Sequence, residues 1–356
     1  MTNERVQAVL FEGARILLSG VAIALLITGA MGYLDRPALE NFEREYMAAH
    51  AEQQIMIAED YLGYFSVTEL TGEINGGSVD GVCHVQSHAI GRAVYKKTSN
   101  FSEAIRQCGN SCTYGCFHGA MMEMFQTESD TLGGVVEGDT PEQYLERIRT
   151  VAPDLCWKPE VVGQVSGRSC THGLGHSFMI LTADLDEALR ACTVMKDRNA
   201  IDSCRAGVFM EYLFDPSSVN ALMSKGTKFC DRYPSDTEAC FQYKAYGWVR
   251  SSGAGSRALE MCESFGDHTE ACVRAVSRAA TEEDFADRPD KIDALCGGVG
   301  MSLRPACLAG AYMKLFDLYN IDDSDRVCEK ADAAHTDSCW NALTRYRQMY
   351  TFEREI

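Results

Sequence analysis

Cysteine recurs in this chain as a couplet, and each couplet falls where one amphipathic run ends and the next begins. Seven couplets can be read directly: Cys108/Cys112, Cys156/Cys170, Cys192/Cys204, Cys230/Cys240, Cys262/Cys272, Cys296/Cys307 and Cys328/Cys339. The first member closes a run such as residues 102–107 or 186–191. The second opens an apolar one, as in residues 204–213 and 307–315. A bond between the end of one helix and the start of the next clamps a short turn, so each couplet is expected to staple a helical hairpin. Cys83 and Cys116 are left over, and the expected pairing is Cys83–Cys116 beside Cys108–Cys112, where three intervening residues leave little room and Cys116 competes, with the other couplets each closed on themselves. The alternative for Cys83 and Cys116 is a pair of thiolates in a mixed cysteine and histidine site.

Between second cysteines from Cys170 onward the spacing is 34, 36, 32, 35 and 32 residues, the length of a two-helix repeat. The expected fold is all-α: an N-terminal transmembrane helix, then an α-solenoid, open or closed into a ring, of about eight stapled hairpins, each burying its apolar face on its neighbours. Gly115, Gly173, Gly207 and Gly310 stand three residues after a second cysteine, a column that predicts close helix approach. Residues 131–141 read as an inserted surface loop, residues 41–65 as one long helix and residues 69–81 as a glycine-bearing joint. The domains expected are a cytoplasmic stub and anchor (1–35), a membrane-proximal helix and joint (36–81), histidine- and cysteine-rich repeats (82–184) and further stapled repeats (185–356).

So many structural disulfides need oxidising surroundings. Residues 16–34 carry no charge and are long enough to cross a bilayer as a helix, with Arg5 and Arg15 before them. A cleaved signal peptide would also export the rest; we read an uncleaved anchor, with the main domain on the periplasmic or extracellular face. The formal charge of −18 argues against a nucleic-acid partner, because phosphate binding needs a basic face. The membrane, through the N-terminal helix, and an envelope protein on the repeat surface are the expected partners.

The couplets, the period and the small-residue columns over residues 100–345 resemble the cysteine-rich, tetratricopeptide-like repeats of secreted bacterial proteins. The resemblance implies an α-solenoid and a binding role, and no reaction.

A second signal overlies the repeats. Five of the eight histidines lie between residues 84 and 176: His84 and His88 four apart, His172 and His176 four apart, and His118 between them. Residues four apart share a helix face, so each pair can aim two imidazoles in one direction. Aligned on the couplets, His88, His118 and His176 fall in one column, with His84, Tyr114 and His172 one turn earlier. Imidazole suits zinc, copper, iron and nickel, so these five are the expected ligands of a transition metal, copper or zinc. Met121, Met179 and Glu123 are candidate further ligands, and Glu211 a candidate ligand or base.

Covalent haem is disfavoured, because the run from Cys112 to His118 lacks the Cys-x-x-Cys-His spacing. No His-Glu-x-x-His, phosphate loop, dinucleotide fingerprint or serine elbow is present, so no nucleotide is expected and no substrate is selected. The expected function is metal binding by an exported helical-repeat protein, for envelope metal handling or metal-dependent chemistry. The alternative is an interaction scaffold whose histidines are structural.

Overall fold

A computed structural model describes residues 37–74, 80–127, 141–214, 227–252, 255–284, 291–319, 324–329, 331 and 336–350. All regular structure among them is helical. The helices are α1 (Leu39–Ala48), α2 (Ala51–Tyr61), α3 (Val67–Ile74), α4 (Asp80–Thr98), α5 (Phe101–Cys108), α6 (Gly115–Gln126), α7 (Pro141–Leu155), α8 (Pro159–Val162) and α9 (Gly167–Thr182). They continue with α10 (Leu185–Ala191), α11 (Arg198–Phe214), α12 (Thr237–Ser252), α13 (Gly255–Cys262), α14 (Thr269–Asp284), α15 (Ile292–Gly297), α16 (Arg304–Tyr319), α17 (Ser324–Glu329) and α18 (Thr336–Tyr350).

Short and long helices alternate for a local reason. Asn100 accepts a hydrogen bond from the Glu103 amide and starts α5, and Asp184 does the same from Glu187 for α10. A cysteine at the end of the preceding helix or turn is then tied to the first or second turn of the next long helix. The pairs Cys108–Cys116, Cys156–Cys170, Cys192–Cys204, Cys230–Cys240, Cys262–Cys272, Cys296–Cys307 and Cys328–Cys339 all have Cα atoms 5.3–5.7 Å apart.

The long helices α4, α6, α9, α11, α12, α14, α16 and α18 each pack on the next in that order, and α14 also touches α4. One continuous apolar core runs through them, from Phe42 and Tyr46 to Leu343 and Tyr346. Three of the junctions are backbone against backbone, α4 with α6, α9 with α11, and α14 with α16, where Gly310 meets the Arg274 carbonyl. A Cβ on Gly119 of α6 would overlap the His88 carbonyl of α4, and one on Gly207 of α11 would overlap the His172 carbonyl of α9. Only glycine permits these approaches.

Several expectations are corrected. Cys83–Cys116 and Cys108–Cys112 do not form; the pairs are Cys83–Cys112 and Cys108–Cys116. The reason is where α6 starts: Cys116 lies in its first turn and faces the end of α5, whereas Cys112 lies in the preceding loop and faces α4. All sixteen cysteines are in disulfides, so Cys83 and Cys116 are not thiolate ligands. Residues 41–65 are two helices rather than one, parted at Ala49 and His50, where His50 and Gln53 form a capping box that restarts the chain as α2. Within the presumed joint, residues 69–74 are helical, because Ser66 and Glu69 cap α3 reciprocally, and Gly81 belongs to α4. The expected transmembrane segment at 16–34 and the loop at 131–140 lie outside the described residues. Among the described residues no helix is long and apolar enough to cross a membrane.

Candidate metal centre

The glycine contacts set the register of the repeat. Gly119 is three residues after Cys116 and rests on His88; Gly207 is three after Cys204 and rests on His172; Gly310 is three after Cys307 and rests on Arg274. His172 and Arg274 are each two residues after a stapling cysteine, and so is His118, after Cys116. The equivalent positions are therefore His88, His118 and His172. The column of His88, His118 and His176 rested on taking Cys112 as a stapling cysteine, which displaces the second repeat by four residues.

Despite that slip, the histidines converge. One ring nitrogen from each of His84, His88, His118 and His176 lies within 4.8 Å of those of the other three, and all four side chains are buried. His84 and His88 come from α4, His118 from α6 and His176 from α9. His172 is the outlying member. It is only half-buried, with ring centroids 4.9 Å from His176, 5.3 Å from His118 and 6.4 Å from His84.

Backbone carbonyls decide which nitrogens carry protons. His84 Nδ1 lies 3.0 Å from the Thr113 carbonyl oxygen, and His118 Nε2 lies 2.9 Å from that of Ser169. A carbonyl only accepts, so both nitrogens are N–H donors. In neutral rings the opposite nitrogens, His84 Nε2 and His118 Nδ1, carry lone pairs, and these two atoms are 3.3 Å apart. His176 Nδ1 is 2.8 Å from Glu211 Oε2, which makes Nδ1 an N–H donor to the carboxylate. The Nε2 atoms of both His176 and His88 are buried without a hydrogen-bond partner.

Electrostatics keeps His84, His88, His118 and His172 neutral. Burial, with the charge His176 would add, lowers His84 to a pKa of about 3. His88 and His118 are pushed well below the ordinary histidine value by burial and then by their histidine neighbours, and burial does the same to His172. Buried neutral imidazoles with converging lone pairs and no donor between them form a group that can hold a metal ion. The Glu211 carboxylate behind His176 holds that ring in one orientation.

The remaining sequence candidates fall elsewhere. Glu123 is buried in an ion pair with Arg92, Nε to Oε2 2.8 Å, and is not in the four-histidine group. Met121 and Met179 belong to the apolar core, Met121 against the backbone at Gly173. Glu211 does meet the site, as the partner of His176. The repeat carries a signal for it: Glu123 and Glu211 are each seven residues after a stapling cysteine. Thr113 and Ser169 act through backbone oxygens and leave no trace in the sequence.

The loop that supplies Thr113 has an uncommon backbone. Cys112, Thr113 and Tyr114 are three consecutive non-glycine residues in the left-handed region, with φ of 50°, 52° and 67°. Such residues cost on the order of 1–3 kcal/mol each and persist only where surrounding structure holds them. Compared with protein-family models, curated proteins and solved structures, the chain matches none.

Proposed function

We propose that this chain is an exported, membrane-anchored protein of stacked, disulfide-stapled helical repeats that binds a transition ion, copper or zinc, through His84, His88, His118 and His176. In this reading Glu211 orients His176, and His172 stands at the mouth of the site. The uncharged run at residues 16–34 and the eight disulfides support the anchored, extracytoplasmic placement. The order in which the long helices pack supports a solenoid, and the α14–α4 contact supports its curling towards a ring.

The observation that carries the metal reading is the 3.3 Å contact between His84 Nε2 and His118 Nδ1, two acceptors facing each other out of water. Unpaired buried polar atoms are costly, and two opposed lone pairs more so. Only a proton or a cation between them removes the conflict, and burial opposes the proton. With every cysteine committed to a disulfide the donors are imidazoles alone, a set that suits zinc and copper. Metal handling in the envelope is the role we favour.

The test is uptake by the purified full chain, measured by elemental analysis and by titration with Co(II). We expect one ion per chain, and none when His88 and His176 are both replaced by alanine. A wild-type chain that takes up no ion overturns the proposal and leaves the repeat surface as an interaction scaffold.

A further inference from the structure

Seven of the eight disulfides do the same job, joining a short helix or turn to the next long helix across 8–14 residues. Cys83–Cys112 does not. It spans 29 residues and ties the first turn of α4 to the loop before α6. Its two neighbours in sequence are bonded to each other, since His84 follows Cys83, Thr113 follows Cys112, and the Thr113 carbonyl accepts from His84 Nδ1. The loop then touches His84 again, where Gly115 rests on the His84 carbonyl. Fifteen of the sixteen cysteines are buried, and Cys112 alone is half-exposed, beside the exposed Thr113.

Building on the metal reading, we infer that Cys83–Cys112 is a thiol–disulfide exchange site that locks the metal centre when closed and releases the ion when opened by a dithiol reductant. Exposed disulfides and those under backbone strain are the labile ones, and this one closes a loop of three left-handed residues. A thiolate of the reductant attacks Cys112 Sγ. The bond to Cys83 Sγ breaks, and Cys83 leaves as a thiolate that takes up a proton. The second thiol of the reductant then resolves the mixed disulfide and frees Cys112 as a thiol. Two electrons and two protons have passed to the protein, and the reductant departs as a disulfide. With the link gone, the loop relaxes out of its left-handed conformation and the Thr113 carbonyl leaves His84 Nδ1. The ring is then no longer held with its Nε2 lone pair inward.

The probes are dithiothreitol and Co(II) on the full chain. Limited reduction followed by alkylation and nonreducing peptide mapping should label Cys83 and Cys112 before any stapling cysteine. After removal of dithiothreitol, the opened protein should bind Co(II) at least about tenfold more weakly, with unchanged helix content. The variant C83S/C112S, which needs no reductant, should show the same loss. Staples that open first, or an opened protein and a C83S/C112S variant that bind as tightly as the closed wild type, overturn the switch alone. A closed wild type that takes up no Co(II) overturns the metal reading, and the switch with it.

Discussion

Arg92 and His176 hold the same place in their repeat units, four residues after His88 and His172, and each gives an N–H at 2.8 Å to a glutamate on the next long helix in the series. The partners, Glu123 and Glu211, are equivalent as well. Arg92 satisfies Glu123 with a permanent charge. His176 satisfies Glu211 with its Nδ1–H and turns a second nitrogen towards the site. The contact that is purely structural in one unit thus orients a ring of the four-histidine group in another.

That equivalence separates the two glutamates by assay. Glu211→Ala should weaken Co(II) binding by about 10–100-fold, the usual effect of removing a carboxylate behind a ligand histidine, with a small change in stability. Glu123→Ala leaves a partly buried guanidinium without its partner and should lower unfolding stability by about 2–3 kcal/mol. Chelator competition and denaturant unfolding of both variants check the pair.

Acid should act in two windows. A histidine whose pKa is lowered by folding contributes its full stability above the unfolded value near 6.5 and loses it as pH falls towards the folded value. For His84 that window runs from about 6.5 down to about 3, and His88, His118 and His172 add to it in the same direction. The metal-free protein should therefore lose stability steadily below pH 6.5, by at most about 1.4 kcal/mol per pH unit for each such ring. Metal occupancy should outlast the ordinary histidine range, because the apo rings resist protons. Thermal unfolding and Co(II) absorbance across pH 7 to 4 measure both.

Two glycines should respond in opposite ways to alanine. Gly119→Ala drives a methyl group into the His88 carbonyl, so α6 must move from α4; we expect a loss of about 1–3 kcal/mol together with weaker metal binding. Gly72 in α3 is exposed and has open space around its Cβ position, so Gly72→Ala should stabilise by about 0.5–1 kcal/mol. Urea unfolding of the two variants shows the sign directly.

A staple between helices that carry none of the four clustered histidines should be purely structural. Replacing Cys262 and Cys272 with alanine removes a link across 10 residues and should cost about 2–3 kcal/mol, leaving Co(II) affinity as in the wild type. Equal denaturation midpoints for the variant and the wild type would contradict this.

The helical class and the later staples were legible because cysteine marks helix ends without ambiguity wherever only one pairing is available, as from Cys156 onward. Around Cys108 three cysteines lie within nine residues, and periodicity cannot choose between Cys112 and Cys116. The choice depends on where α6 begins, which the left-handed residues 112–114 decide. The histidines were found by their spacing, which survives a four-residue error because residues four apart on a helix share a face. Glu211 looked like any solvated glutamate. Its role depends on a ring from another helix, 35 residues away. The break at His50 depends on a capping box formed by an uncommon capping residue, which propensity alone does not flag.

The contact of α14 with α4 brings the far part of the chain to the first histidines, and Lys314 on α16 is near enough for its charge to be felt at His84. In an open array, units can be added or lost at one end with little effect on the rest. Here the later units, which carry no histidine ligand, form a wall beside the first one. Their number is therefore part of the specification of the site, and losing a unit between α11 and α14 would strip insulation from His84 without touching any of the four clustered histidines.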